Sequence, residues 1–345
     1  MNNSMSLSVD EKKRLWIFIA IAFGIPLLMS IPMYIGAKRG ADLSVFATTQ
    51  MFYPACGVIL GRLLIRKDDE KLPWAGFIAI LVTTVLLMAL SIWSIFSNYD
   101  NTEMISEVIV MICSVIAYIV FWACGREKII NAGIKRKNIR TSILMIVLFI
   151  LLYVVSTVLS AYLTGIRDGD IASQFAELKD PFKKPMTWVT LITIMINFPF
   201  AFSAFFGEEY GWRYYLQPLM QKRLGLIGGT LLLGIVWGIW HFNLELTGVY
   251  SKPGMPSLVT RIIVCVTLAI FFAYAYMKTK NIWVPVIMHF LFNSVAIIFI
   301  NDMSELQNEV VTWKDVPISL VSMSVFAIFI FAPIFRKKKE TEPIE

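Results

Sequence analysis

Residues 143–163 have the sequence ILMIVLFILLYVVSTVLSAYL, an apolar run without a charged side chain. A run of roughly 20 apolar residues crosses the hydrocarbon core of a bilayer as an α-helix, because that core is about 30 Å thick. Similar runs recur along the chain of 345 residues, of which 57% are hydrophobic and only 16% are charged. A water-soluble core cannot bury so much apolar surface. The sequence therefore predicts an all-α protein, a polytopic bundle of transmembrane helices.

Charged breaks between the apolar runs predict about ten membrane spans. The spans lie near residues 15–36, 43–61, 73–96, 105–124, 141–163, 188–206, 226–246, 258–277, 282–300 and 316–335. Alternate breaks are basic, for example around Lys12, Arg66, Arg136, Arg223 and Lys280, whereas the intervening breaks are mixed or acidic. Cytoplasmic loops of membrane proteins carry the excess of lysine and arginine. Both termini are therefore predicted to be cytoplasmic.

The net charge of +7 does not indicate a nucleic-acid partner, because the basic residues lie in short runs between apolar stretches, as topology signals do. The four cysteines form no CxxC pair, so neither a disulfide framework nor a thiolate metal site is predicted. The first apolar run begins at Leu15 and continues for about a full span without a small-residue cleavage site after it. We expect it to remain as the first transmembrane helix.

Two adjacent carboxylates and an arginine interrupt an apolar, aromatic segment with the sequence FFGEEYGWR at residues 205–213. Charged groups inside a membrane cost roughly 2.5–3.5 kcal/mol each, so they mark functional sites by default. Glu209 and Arg213 are four residues apart on one helix face, which predicts a structural ion pair. Glu208 points about 100° away around the helix. It is the candidate base that activates water.

The chain has only two histidines, His241 and His289, and each lies within a predicted span. His289 and Asn293 share a helix face, which suits two donors aimed at one developing oxyanion. Trp237 lies one turn before His241, where its ring can orient the imidazole. Glu245 lies one turn after His241; it either accepts a hydrogen bond from the second ring nitrogen or merely marks the helix end.

Three of these segments resemble signatures of the type II CAAX prenyl endopeptidase family, also called the CAAX protease and bacteriocin-processing or abortive-infection family. The EExxxR motif of that family corresponds to Glu208 through Arg213, and its HxxxN motif to residues 289–293. Its FxxxH motif corresponds to Trp237 through His241, with tryptophan in place of phenylalanine. The resemblance covers roughly residues 188–300 and leaves the first five spans unexplained.

The resemblance implies an intramembrane endopeptidase that cleaves a membrane-associated peptide or protein substrate, as in CAAX-box protein processing. In that family the first glutamate and the first histidine activate water, while the second histidine and the asparagine stabilise the oxyanion. Carried over, these catalytic residues are Glu208, His241, His289 and Asn293. Bacterial relatives resemble peptide-processing, immunity or regulatory membrane proteins, so we expect an integral protein of a bacterial plasma membrane.

The same reasoning predicts three regions. Residues 1–187 are N-terminal transmembrane helices without recognisable chemistry, residues 188–300 are a CAAX-protease-like catalytic core, and residues 301–345 are a final transmembrane helix with a basic cytoplasmic tail.

Three alternatives remain at the level of sequence. Glu208, His241 and His289 make a two-histidine, one-carboxylate set of the kind that binds catalytic zinc. The first expectation is nevertheless that the protein has no cofactor. HExxH and GxSxG motifs are absent, which argues against site-2 and rhomboid-like proteases. A non-catalytic membrane scaffold or immunity protein of the same family is the second alternative. A transporter is the third alternative. A transporter built of inverted repeats should show paired broken helices in its two halves, whereas the polar cluster of this chain lies only in the second half.

Overall fold

The computed structural model of the protein describes residues 7–66, 71–97, 101–299 and 308–336, and every regular element within these ranges is a helix. The helices of the first half are α1 (Val9–Arg39), α2 (Ser44–Gln50), α3 (Tyr53–Leu64), α4 (Trp74–Phe96), α5 (Thr102–Ala123), α6 (Arg126–Asn131), α7 (Ile139–Asp168) and α8 (Ile171–Lys183). Those of the second half are α9 (Pro185–Glu209), α10 (Gln217–Trp240), α11 (Phe242–Leu246), α12 (Met255–Thr279), α13 (Trp283–Ala296), α14 (Asp315–Ala327) and α15 (Pro333–Arg336). A π-helical turn, Tyr210–Leu216, joins α9 to α10.

The predicted all-helical fold class is confirmed for these ranges. Six continuous helical runs within the described residues are long and apolar enough to cross a membrane. They are Val9–Arg39, Trp74–Phe96, Thr102–Ala123, Ile139–Asp168, Pro185–Leu246 and Met255–Thr279. The predicted count of ten spans and the cytoplasmic placement of both termini stay predictions.

The predicted and observed spans differ where the chain bends within an apolar run. The span predicted at 43–61 is divided into α2 and α3, and Pro54 stands in the first turn of α3, a position that suits proline because no backbone N–H is needed there. The spans predicted at 188–206 and 226–246 belong to one helical run that breaks at Gly225, where φ is 77°. Only glycine adopts such a backbone readily.

The spans predicted at 282–300 and 316–335 correspond to shorter apolar helices, Trp283–Phe299 and Asp315–Phe331. Residue 300 lies outside the described residues. So do residues 301–307 and 337–345, which hold most of the predicted basic tail.

Helix α9 and the π-helical turn pack against the α2–α3 bend through two glycines. A Cβ atom added to Gly207 would lie 2.4 Å from the carbonyl oxygen of Met51, and one added to Gly211 would lie 2.2 Å from Cβ of Pro54. Small residues at helix contacts in membrane proteins allow the backbones to approach closely. These glycines flank Glu208 and Glu209, so the first half of the chain directly supports the segment that carries both carboxylates.

A second contact joins the first half to the end of α10. The side chain of Gln50 donates from Nε2 to the backbone carbonyl of Trp240 over 2.9 Å and accepts from Nδ2 of Asn243 over 2.9 Å. The indole of Trp240 in turn donates to the carbonyl of Ala22 over 2.6 Å. Buried amides of this kind need partners, and these bonds fix the chain on both sides of His241.

Candidate active site

The two glutamates at the end of α9 lie deep inside the protein, with Glu208 2% and Glu209 0% exposed. Arg213, also fully buried, lies in the π-helical turn and donates from Nε to Oε2 of Glu209 over 2.8 Å. Leaving one charge of such a buried pair without its partner is strongly destabilising. Single π-helical turns occur frequently at functional sites.

Glu209 also joins α9 to α13. Its other oxygen, Oε1, lies 2.9 Å from Nδ1 of His289. The imidazole of His289 packs edge-on against Phe205, with ring centroids 5.3 Å apart. One carboxylate therefore orients both the arginine of the π-helical turn and the histidine of α13.

The hydrogen-bond partners of Glu208 are neutral side chains. The indole nitrogens of Trp237 and Trp212 both donate to Oε2 of Glu208, over 2.8 and 3.3 Å. Neutral donors orient a carboxylate without neutralising its charge, in contrast to the guanidinium that holds Glu209. The described hydrogen bonds engage Oε2, so Oε1 is the oxygen available to a water or a substrate.

His241 stands between α10 and α11, where the chain leaves the helical conformation (φ −84°, ψ 2°). Its Nδ1 atom lies 2.8 Å from the backbone carbonyl of Trp237. A carbonyl oxygen can only accept, so Nδ1 carries the proton in this bond. Neutral His241 then has its lone pair on Nε2, which is the tautomer that can accept a proton from water.

Trp237 is the centre of the cluster. Its ring centroid lies 5.5 Å from that of His289 and 6.2 Å from that of His241. The guanidinium carbon of Arg213 lies 4.6 Å from the centroid of the same ring and 5.2 Å from that of Phe272. A cation above an aromatic face is attracted by the ring quadrupole. Trp237 therefore contacts Arg213 and both histidines in addition to donating to Glu208.

The guanidinium of Arg213 is only partly hydrogen-bonded. Its Nη1 and Nη2 atoms are buried and have no hydrogen-bond partner within the part of the chain that the structure describes. Its hydrogen bond through Nε and its ionic attraction both depend on Glu209. Because the two aromatic rings compensate only part of the cost of burial, the arginine relies on that carboxylate.

Asn293 lies one turn after His289 on α13 and is exposed, unlike the buried imidazole. Residues four apart on a helix share a face, so the amide stands next to the histidine at the surface end of the cluster. The sequence predicts that Glu208, His241, His289 and Asn293 converge on one buried polar cavity. The structure gathers the first three around Trp237 and places the asparagine at the exposed edge.

Glu245 belongs to a different group of side chains. Its Oε1 accepts from Nε of Arg261 over 2.6 Å, and Oε2 accepts from the hydroxyl of Ser257. No bond to His241 is among its described contacts. The predicted bond to the second nitrogen of His241 assumed one continuous helix, whereas the helix is interrupted at His241 itself. Glu245 instead bonds to Ser257 and Arg261 of α12 and so holds the chain in place just after His241.

A scan against protein families adds an independent observation. Residues 186–295 match the model for the type II CAAX prenyl endopeptidase, Rce1-like. This stretch is similar to that family, and residues 186–295 are called the Rce1-like domain below because of this similarity. The match confirms the predicted resemblance, and its bounds agree closely with the predicted range of 188–300. It covers less than half of the chain, and no curated protein matches the chain.

The Rce1-like domain contains all the cluster residues described above, and Rce1-like proteins are a family of proteases. Together with the six apolar helical runs, the match indicates an integral membrane protein. The helices outside residues 186–295 contribute the α2–α3 bend that packs against Gly207 and Gly211. This contact joins residues outside the match to residues inside it.

A zinc ion fits the residue types of the Rce1-like domain but not their arrangement. Glu208, His241 and His289 include common zinc ligands, and both Nδ1 atoms have an acceptor, as zinc-bound histidines usually do. Helical spacing offers an acceptor, Glu245, to His241 alone, whereas the packing of two helices places Glu209 beside Nδ1 of His289. However, no group of three His, Cys, Asp or Glu side chains among the described residues is placed to hold a metal ion.

One contact in the Rce1-like domain was missed by the reasoning from sequence although a signal for it was present. Trp212 is four residues after Glu208, the same spacing that predicts the Glu209–Arg213 pair. This spacing predicts that the indole lies on the helix face of Glu208. Gln50 had no such signal. It lies about 190 residues before its partner Trp240, and only the three-dimensional fold brings the two together.

Proposed function

We propose that the chain is an intramembrane endopeptidase that hydrolyses a membrane-associated peptide or protein, in the manner of CAAX-box processing, and acts in a bacterial plasma membrane. The observation that carries the proposal is the contrast between the two buried glutamates. Glu209 is held by Arg213 and His289, whereas Glu208 is oriented only by neutral indoles and keeps one oxygen available. A carboxylate that is held in position by neutral hydrogen-bond donors and keeps one oxygen available suits the role of a general base.

Peptide hydrolysis assigns a step to each group. Glu208 accepts a proton from water, and Nε2 of His241 accepts the second hydrogen bond of that water and so orients it. The oxygen of the water attacks the scissile carbonyl carbon, and the π electrons of the carbonyl bond move to the carbonyl oxygen. When the tetrahedral intermediate collapses, the carbon–nitrogen bond breaks. The proton held by Glu208 passes to the leaving nitrogen, giving a carboxylic acid and an amine.

The negative oxygen of the intermediate requires donors. We assign this role to Nε2–H of His289, whose Nδ1 atom lies 2.9 Å from Oε1 of Glu209, and to the side-chain amide of Asn293 one turn later. Preorganised donors in a water-poor site stabilise the developing charge more than water does. The exposed position of Asn293 places its amide where a substrate backbone can reach it. No step in this mechanism requires a metal ion.

The experiment compares membranes that contain the wild-type protein with membranes that contain Glu208→Gln. The amide oxygen of glutamine can accept the same indole hydrogen bonds, so the variant is expected to fold but not to activate water. Exposed Glu107→Gln on α5 is the matched control. Mass spectrometry should detect peptide fragments with wild type and Glu107→Gln that are missing with Glu208→Gln. Identical fragment patterns for all three proteins would contradict the proposal and favour a non-catalytic membrane protein.

A further inference from the structure

A second site lies apart from the cluster of titratable residues. It is a cavity of about 580 Å³ between α5, α7, α9 and α13, which we call the lateral cavity. Pockets that hold ligands of drug-like size have volumes of about 300–1,000 Å³. Its walls are almost entirely apolar and include Phe202 of α9 and Trp283 of α13. None of the catalytic candidates lines it, so it is a separate site.

The lateral cavity reaches the surface of the bundle at α5 and α7, where some of its lining residues are exposed. Three of its lining residues on these two helices are strongly exposed: Trp122 is 78%, Ile139 54% and Ile143 56% exposed. In a membrane, apolar side chains on the outside of the bundle face the acyl chains of lipids. A lipid chain can therefore pass from the bilayer into the cavity without crossing a polar barrier.

The rim of the lateral cavity carries a positive charge. Lys135 and Arg136 line it, the first half-buried and the second exposed. The salt bridges of the described residues include neither side chain. Two basic side chains at one end of an apolar cavity match a ligand with an anionic head and an apolar tail.

This basic rim is fixed to the bundle. The indole of Trp283 donates to the carbonyl of Ile134 over 2.8 Å, and Nδ2 of Asn281 donates to the carbonyl of Lys137 over 3.1 Å. Asn138, which has a positive φ of 49°, donates from Nδ2 to the carbonyl of Thr279 over 2.9 Å. The segment that holds the two basic side chains is thus bonded on both sides to the junction between α12 and α13, so their position over the cavity is preorganised.

We propose that the lateral cavity binds an anionic phospholipid of the surrounding bilayer. One acyl chain fills the apolar space between α5, α7, α9 and α13, and the phosphate of the headgroup lies against Lys135 and Arg136. Burial of the acyl chain contributes to binding through the hydrophobic effect, and the basic pair selects lipids by charge. This binding is independent of the catalytic proposal, because it requires neither glutamate nor histidine.

Native mass spectrometry of the full-length protein, released from nanodiscs, tests the proposal directly. The nanodiscs contain equal amounts of phosphatidylglycerol and phosphatidylcholine with identical acyl chains, and the ratio of the two lipids retained on the protein is measured. The wild type should retain phosphatidylglycerol preferentially. Lys135→Gln combined with Arg136→Gln should lower that preference by about tenfold, because each basic residue contributes to the attraction of anionic lipid.

The matched control removes two charges from the same segment outside the cavity. Lys137 and Arg140 are exposed and are not among the residues that line the cavity. Lys137→Gln combined with Arg140→Gln should leave the preference for phosphatidylglycerol unchanged. If both double variants lost the preference equally, general surface charge would explain the binding and the proposal would be overturned.

The apolar part of the site has its own test. Ile143→Trp should fill the cavity and reduce the retention of phosphatidylglycerol by about tenfold, because the acyl chain loses its place in the apolar space. Leu144→Trp is the control, because Leu144 is also 56% exposed but does not line the cavity. Equal retention by both tryptophan variants, or equal retention of the two lipids by the wild type, would overturn the proposal. Size-exclusion profiles establish that each variant is folded.

Discussion

Replacement of Glu209 by glutamine separates the roles of the two buried glutamates. The change removes the negative charge that pairs with Arg213 at 2.8 Å and lies 2.9 Å from Nδ1 of His289. Nη1 and Nη2 of the arginine have no other described partner, so the variant leaves a buried guanidinium without its counter-charge. Breaking a buried pair in this way costs about 3–5 kcal/mol. At about 2 °C per kcal/mol for a large domain, the melting temperature should fall by roughly 6–10 °C.

The assay is thermal unfolding of the purified protein in detergent, followed by tryptophan fluorescence. Glu208→Gln is the internal control, since its indole partners are neutral and can donate to an amide oxygen as well. Its melting temperature should stay within about 2 °C of the wild type, a shift that corresponds to roughly 1 kcal/mol. Equal melting temperatures for the two variants would refute the assignment of Glu209 as the structural carboxylate.

A rescue variant sharpens the result. Arg213→Met in the Glu209→Gln background removes the stranded charge and keeps an apolar side chain between the rings of Trp237 and Phe272. Replacement of a buried ion pair by apolar groups is often neutral or stabilising, so the double variant should recover most of the lost melting temperature. A double variant less stable than Glu209→Gln would show that the cost does not come from the unpaired guanidinium.

Three further predictions concern the oxyanion donor, the metal and the glycine contact. Asn293→Ala should lower turnover by about 10²–10³, as loss of one oxyanion donor does, with KM and melting temperature unchanged; unaltered turnover would remove Asn293 from the mechanism. Activity of the purified protein should persist after exhaustive chelation, and activity that is lost and then restored by added zinc would instead establish a metalloprotease. Gly211→Ala should cost about 1–3 kcal/mol of stability because its Cβ would clash with Pro54, whereas Gly228→Ala, whose Cβ meets nothing closer than 3.6 Å, should be neutral or slightly stabilising.

The sequence predicts well what depends on neighbours along the chain. Apolar runs predict the helices, and the spacing of four residues places Arg213 on the face of Glu209, because both patterns follow from the geometry of a single helix. The charged break before Gly225 marks the place where α10 bends. Each of these features is encoded within a few residues.

Contacts between distant segments could not be predicted in this way. The bond from Trp237 to Glu208 and that from His289 to Glu209 join different helices, and their geometry depends on how the bundle packs. Of the two alternatives for Glu245, the bond to His241 is not among its described contacts for a related reason, because that alternative extended helical spacing through His241, where the backbone is not helical. The exposed position of Asn293 likewise depends on what packs beside α13, which the sequence of α13 alone does not encode.

The glycine contact between the two halves of the chain has a consequence for the modularity of the protein. The bend at Met51 and Pro54 is synthesised long before Gly207 and Gly211. The packing surface for the glutamate-bearing helix is therefore made before that helix enters the membrane. Residues 186–295 expressed alone would have an open groove along these glycines and would lack Gln50 beside His241. They are therefore not expected to fold and act as an independent domain. Activity from a split protein should require co-expression of a fragment that includes Ala22 through Pro54.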